Sequence, residues 1–199
     1  SKVTFNSIFW SINIGIVLTF FLSVLWTKPP VIFYVLGGLG ALMQIFAFAI
    51  LLKRGLGYGG RLNAIYSPLQ RSLLFVLALV LVIKMALQLL TTLPYFSNLA
   101  ATILDFTIGY LHLTFLGIVT IGLFLFLNYF KLLLIPKRAY YFYTIGFLTT
   151  EVLIFAKGIA AWQRLPLFVG YCELLTLASL LIAFAFTMIL VANLRDKAN

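Results

Sequence analysis

Six residues that can carry charge, Lys84, Asp105, His112, Glu151, Lys157 and Glu173, stand inside stretches built otherwise from Leu, Ile, Val, Phe, Ala and Gly. A charge costs several kcal/mol, on the order of ~3, to place in hydrocarbon, so such residues face a bundle interior or a hydrated cavity and pair with one another. Two lysines against three carboxylates leave the set nearly balanced apart from His112, which suits mutual ion pairing. Gln88 lies one helical turn beyond Lys84 on the same face, and His112 two turns beyond Asp105 on the same face. One reading gives the lysines only the work of neutralising carboxylates and fixing helix packing. The other makes the polar layer a place for a ligand, a proton path or a cofactor. His112 divides in the same way: it hydrogen-bonds a neighbouring helix, or it serves as an axial ligand to heme, which needs only one histidine from a given chain. With Cys172 as the lone cysteine and His112 as the lone histidine, neither a zinc nor a copper site can be assembled from this chain by itself.

The elements that must position these residues are spanning helices. Hydrophobic residues make up 64% of the chain and charged residues 9%, with a mean hydropathy of +1.15, against about 45–50% and about 25% in soluble domains. The expected fold is all-α, a polytopic bundle of about six transmembrane helices over 5–26, 30–52, 72–93, 99–130, 140–162 and 166–194. A β-barrel is excluded because its strands alternate over about ten residues, whereas these runs are continuous and Leu-rich. The partner implied is the lipid bilayer. The net charge of +10 does not point to nucleic acid, since Lys and Arg gather between the apolar runs and read as topology signals.

Turn chemistry separates the runs: Lys28-Pro29-Pro30, the glycine-rich segment Arg54 to Arg61, Leu93-Pro94, Pro136-Lys137-Arg138 and Arg164-Leu165-Pro166. The glycine-rich segment lacks the GK[ST] ending of a phosphate loop and reads as a flexible cytoplasmic connection. Lys2, Lys53, Arg54, Arg61, Arg71, Lys131, Lys137, Arg138, Arg195 and Lys197 fall on one side, and Lys28 and Arg164 on the other. The positive-inside rule therefore puts both termini in the cytoplasm, with Trp26 and Trp162 at the outer interface and the charged layer at or outside the midplane. The fourth run exceeds what a bilayer needs, so it tilts or its end projects into the inner interface. Gly37, Gly38, Gly40 and Ala41 mark a close-packed face, Asn6, Asn13 and Gln44 read as polar glue, and Gly109, Gly117, Gly146 and Gly170 permit bends. Phe124, Phe126 and Phe130 read as core or lipid-facing. The expected location is a cell membrane, the bacterial inner membrane, as a multi-pass protein.

The stretch from Asp105 to Phe115 resembles the tenth helix of heme-copper oxidase subunit I. That helix carries an aspartate and, seven positions on, the histidine that ligates the high-spin heme; Asp105 and His112 match these two, and Thr114 stands where the low-spin heme ligand would be. The resemblance implies a C-terminal half of a twelve-helix bacterial membrane protein related to that superfamily, with heme as cofactor and His112 as axial ligand. It also implies heme propionates near Lys84 or Lys157. The first helix lacks the paired histidines of a copper site, so none is implied. The chain opens at Ser1 without an initiator Met, which fits a processed product or a part of a longer polypeptide whose N-terminal half is a partner.

Three functions follow as expectations: a heme-associated protein handling electrons, O2 or NO; a proton- or ion-coupled transporter using Asp105, Glu151 and Glu173; and a structural or assembly subunit of a membrane complex. No Ser/His/Asp set, HExxH or Walker motif points to a catalytic site of the kind found in soluble enzymes.

Overall fold

A computed structural model describes residues 2–57 and 64–196, without the side chains of 2–5, 26 and 56. The orientation marks Arg61 and Lys197, the side chains of Lys2 and Trp26 and the 58–61 part of the glycine-rich segment lie outside what is described. Helix α1 (Lys2–Thr19) continues as a 3-10 segment (Phe20–Thr27), followed by α2 (Val31–Gly57), α3 (Pro68–Leu90) and a short α4 (Pro94–Thr102). Then come α5 (Leu104–Tyr129), α6 (Lys137–Gln163) and α7 (Tyr171–Asp196). Six of these, all but α4, are long and apolar enough to cross a bilayer. No strand occurs among the described residues, and many large apolar side chains, such as Phe20, Phe75 and Val152, are exposed along the helices. Such a surface belongs in lipid.

Local chemistry explains several ends. Ser67 caps α3 in a reciprocal box, its Oγ accepting from Gln70 N at 3.3 Å while Gln70 Oε1 accepts from Ser67 N at 3.0 Å, and Pro68 occupies the first helical position, where no N–H is needed. The fourth apolar run differs from expectation. Ile103 breaks it with extended backbone, so 99–102 belong to α4 and the spanning helix starts at Leu104. Helices α5 and α6 both finish in a six-residue closing motif. Leu132 N donates to Leu127 O and Leu165 N to Ala160 O, each at 2.8 Å, with Lys131 and Arg164 in left-handed backbone at φ 56 and 57. Glycine normally fills this position. A side chain there costs about 1–2 kcal/mol, offset in part by a cation near the helix C-terminus. Arg164→Gly is therefore expected to raise stability by about 1 kcal/mol, read as a higher midpoint of thermal unfolding in detergent.

The chain divides into two compact units, one of residues 1–65 and 81–102, the other of 66–80 and 103–199. In the first, α1 and α2 cross where two glycines meet: a Cβ on Gly40 would lie 2.8 Å from Gly15 O, and one on Gly15 3.0 Å from Gly40 O. Backbone contact this close gives spanning helices their packing energy without a hydrophobic effect between them. Gln44, buried beside the crossing, donates from Nε2 to Thr19 Oγ1 at 3.0 Å. The expected packed face of α2 and the role of Gln44 as glue thus hold, whereas Asn13 donates to Phe9 O of its own helix.

The second unit is built on α6. Its buried residues Tyr143, Gly146, Phe147, Thr150, Glu151, Leu153 and Ile154 recur at intervals of three and four, and those of α7, Ala178, Ile182, Ala185 and Ile189, do the same. This is the spacing of a left-handed antiparallel seam. Along α5 the buried positions Gly109, Leu113, Gly117 and Ile121 are instead each four apart, with Phe124 following three further on, and residues Leu113–Thr120 form a π-helical segment. Its wider turn leaves carbonyls short of partners. Thr120 Oγ1 donates to Phe115 O at 2.9 Å and Tyr143 OH to Leu116 O at 2.7 Å. Phe124 packs with Tyr143 and Phe186, whereas Phe126 and Phe130 are exposed.

Candidate functional site

A short connection makes α5 and α6 antiparallel neighbours, so facing positions climb on one as they fall on the other. Asp105 meets Lys157, Phe106 meets Gly158, Gly109 meets Phe155, His112 meets Glu151, and Gly117 meets Phe147. Between the two charged pairs, a Cβ on Gly109 would lie 3.0 Å from the Phe155 ring, and one on Gly158 3.0 Å from the Phe106 ring. Each helix thus offers a glycine to the other's phenylalanine. Gly109 and Gly117, read as bend points, are contact points instead.

At one end Lys157 Nζ lies 2.9 Å from Asp105 Oδ1, with both side chains partly exposed. Two turns along, His112 Nδ1 lies 2.7 Å from Glu151 Oε1. Glu151 is 5% exposed and its Oε2 has no hydrogen-bond partner among the described residues. With Glu151 as a carboxylate, the Nδ1–H of His112 donates to it; with Glu151 protonated, Nδ1 accepts. The contact is compatible with either arrangement. The imidazole makes no other bond among the described residues, and its side chain is 32% exposed, which leaves Nε2 for a ligand or a second proton. The π-helical segment begins directly after His112; widened turns of this kind are frequent at functional sites in general.

Other expected site residues are placed elsewhere. Glu173, in the first turn of α7, is exposed and makes no ion pair among the described residues. Lys84 and Gln88 belong to the first unit, where Lys84 Nζ donates to Gln88 Oε1 and Gln88 is buried. Among the described residues no three of His, Cys, Asp and Glu gather as a metal site. Compared with family models, curated proteins and solved structures, the chain matches none.

Sequence reasoning missed a second polar cluster in this unit. Asn193 Oδ1 accepts from Leu134 N at 2.9 Å and its Nδ2 donates to Leu134 O at 2.8 Å, so its amide pairs like a strand with the segment between α5 and α6. Asn128 Oδ1 accepts from Gln70 Nε2 at 3.0 Å, and Ser72 Oγ and Tyr140 OH are 2.6 Å apart. These groups satisfy a connection that would otherwise leave bare backbone where α5 turns into α6.

If the Asp105–Lys157 pair only joins the helices, it is replaceable as a pair. Asp105→Leu is expected to destabilise by leaving Lys157 without its anion, and Lys157→Met on that background to restore most of the loss. The expected coupling in a double-mutant cycle by thermal unfolding is about 0.5–3 kcal/mol.

Proposed function

We propose that this multi-pass membrane protein carries protons, or a small cation in exchange for one, along the α5–α6 seam, with Glu151 and His112 as the titrating centre. The observation that carries this reading is the divided state of Glu151: one oxygen held by His112 and the other buried without a partner. A group placed in that way is costly at rest, and the cost is accounted for when the free oxygen takes and releases a proton or cation. The step needs no co-reactant: Nε2 accepts a proton from the exposed side, Nδ1 gives its proton to Glu151 Oε1, the carboxyl loses a proton from its free oxygen Oε2 to water, and the imidazole returns to its starting tautomer by losing the Nε2 proton and taking one at Nδ1. Chains of carboxylates and histidine inside membranes commonly serve as such relays. In proteoliposomes holding a pH-sensitive dye, the wild-type chain is expected to collapse an imposed proton gradient and Glu151→Gln to lose that flux. Equal flux in both would sink the proposal and leave the seam a structural device of a larger membrane complex.

A second reading, heme association, has its own supporting observation. A metal-bound histidine usually anchors its other ring nitrogen on a carboxylate or carbonyl, and Glu151 does this for His112 Nδ1. In donor chemistry His112 therefore fits a single axial ligand, with Glu151 orienting the ring; a bound heme would supply electron transfer or O2 or NO binding. Lys157 fits a propionate less well, since Asp105 already engages it. A Soret band in protein from heme-replete cells, lost in His112→Ala, supports this reading; a colourless preparation overturns it.

With either activity, the charge distribution supports cytoplasmic termini, and the reading places the protein in a bacterial inner membrane. The partners in this reading are bilayer lipid and an N-terminal half or other membrane subunits.

A further inference from the structure

The four acidic residues of the chain are Asp105, Glu151, Glu173 and Asp196, and all fall in the second unit. The first unit holds Lys2, Lys28, Lys53, Arg54, Arg61 and Lys84 and no carboxylate. Within it, a cleft of about 460 Å³ opens between the turn after the 3-10 segment, the first turn of α2 and the short helix α4. Lys28, Tyr34, Tyr95, Ser97 and Asn98 supply its polar groups, the Ser97 hydroxyl already donating to Pro94 O, and Leu25, Pro94 and Ala101 its apolar wall. The stretches that form it lie at the ends of candidate spans or between them: Leu25 ends the first span, Tyr34 stands in the first turn of the second, and 94–101 fall between Leu90 and Leu104. That is the level of lipid headgroups and glycerol rather than of acyl chains.

Lys28 is held in place. Its backbone is left-handed at φ 55, and its N–H donates to Leu25 O at 3.1 Å. The cost of that conformation goes into fixing a cation at the cleft's rim. Asn98 is exposed there with an amide able to donate, and two tyrosines present a ring with a polar tip, the amphipathic shape that suits a membrane interface.

We propose that this cleft binds a phosphate-bearing anion, with Lys28 on the charge, Asn98 and the tyrosine hydroxyls on the remaining oxygens, and the Leu25, Pro94 and Ala101 wall against the attached hydrocarbon. The same phosphate chemistry occurs on an anionic phospholipid and on free phosphate; the apolar wall selects the lipid. Nothing in the proposal depends on the α5–α6 seam, so the two can fail separately.

The test uses the full chain in a neutral detergent, titrated with phosphatidylglycerol, phosphatidylcholine or inorganic phosphate, with thermal midpoint and native mass spectrometry as readouts. Phosphatidylglycerol is expected to bind saturably and raise the midpoint, and phosphatidylcholine not to do so. Lys28→Gln is expected to weaken binding about tenfold, Lys28→Arg to retain it, and Asn98→Leu to weaken it by less; Arg195→Gln, in the second unit, should leave it unchanged. Binding of inorganic phosphate with the same Lys28 dependence would keep the phosphate site and replace the lipid by a free anion. Equal binding of both lipids with no phosphate effect, or anion binding that neither Lys28→Gln nor Asn98→Leu weakens, would overturn the proposal. The Asn98 variant keeps the test decisive should Lys28→Gln fail to fold.

Discussion

Glu151→Gln is expected to leave the protein folded and to stop proton movement, and the contrast between those two results is what makes the substitution informative. The amide oxygen of glutamine can still accept the Nδ1–H of His112, so the helix contact at 2.7 Å survives in kind. What the amide cannot do is take a proton. Loss of a positioned proton acceptor typically slows a transfer by about 10²–10⁴-fold, and flux in proteoliposomes is expected to fall at least to the low end of that range. Glu151→Ala is a different experiment. It strips His112 of its partner and opens a void at a position only 5% exposed, and breaking a buried pair in this way costs about 3–5 kcal/mol. Thermal unfolding in detergent should therefore separate alanine sharply from glutamine. If the seam were only a fastening, glutamine would retain flux as well as fold.

The second large effect is expected at Gly146, where α7 packs directly against the backbone of α6. An added Cβ would stand 2.8 Å from Ala178 O, 2.9 Å from Ile182 Cγ1 and 3.1 Å from Leu181 Cβ. A side-chain end can swing aside, but a carbonyl inside a helix cannot move without its helix. Gly146→Ala is expected to cost about 1–3 kcal/mol by overpacking, and Gly146→Val more. Shortening the opposite side chain should bring no relief, because the obstructing atom is backbone: Ala178→Gly on the Gly146→Val background is expected to leave the unfolding midpoint low. Recovery in that double variant would show that the side chain, not the carbonyl, sets the contact.

The six spans and the glycine face of α2 were legible because length, hydropathy and small-residue clustering are local properties. The charged residues were legible singly and their pairing was not. Asp105 with Lys157 and His112 with Glu151 depend on the register of α5 against α6, which the glycine–phenylalanine contacts set and no residue type announces. Lys84 and Glu173 carry the same apparent signal in sequence, yet Glu173 stays exposed at a helix start. The break at Ile103 was hidden for a related reason: no proline or glycine marks it. The runs ending at 130 and 162 marked those two helix ends to within a residue, but the left-handed closing residues Lys131 and Arg164 stand where glycine is usual and gave no sign of that geometry. Asn128 and Asn193 gave no advance sign, because an amide that serves backbone groups is recognisable only once that backbone is placed.

The widened turn of α5 has a consequence for phase. In an unbroken α-helix each residue advances about 100°, so Ile121, twelve positions beyond Gly109, would point about 120° away from it. Only one of the two could then look toward α6. The π-helical stretch over Leu113–Thr120 takes up that angular error in the way a leap day corrects a calendar. The charged half of α5 and its aromatic half, which belong to different rotational settings of a regular helix, are thereby brought to bear on the same neighbour.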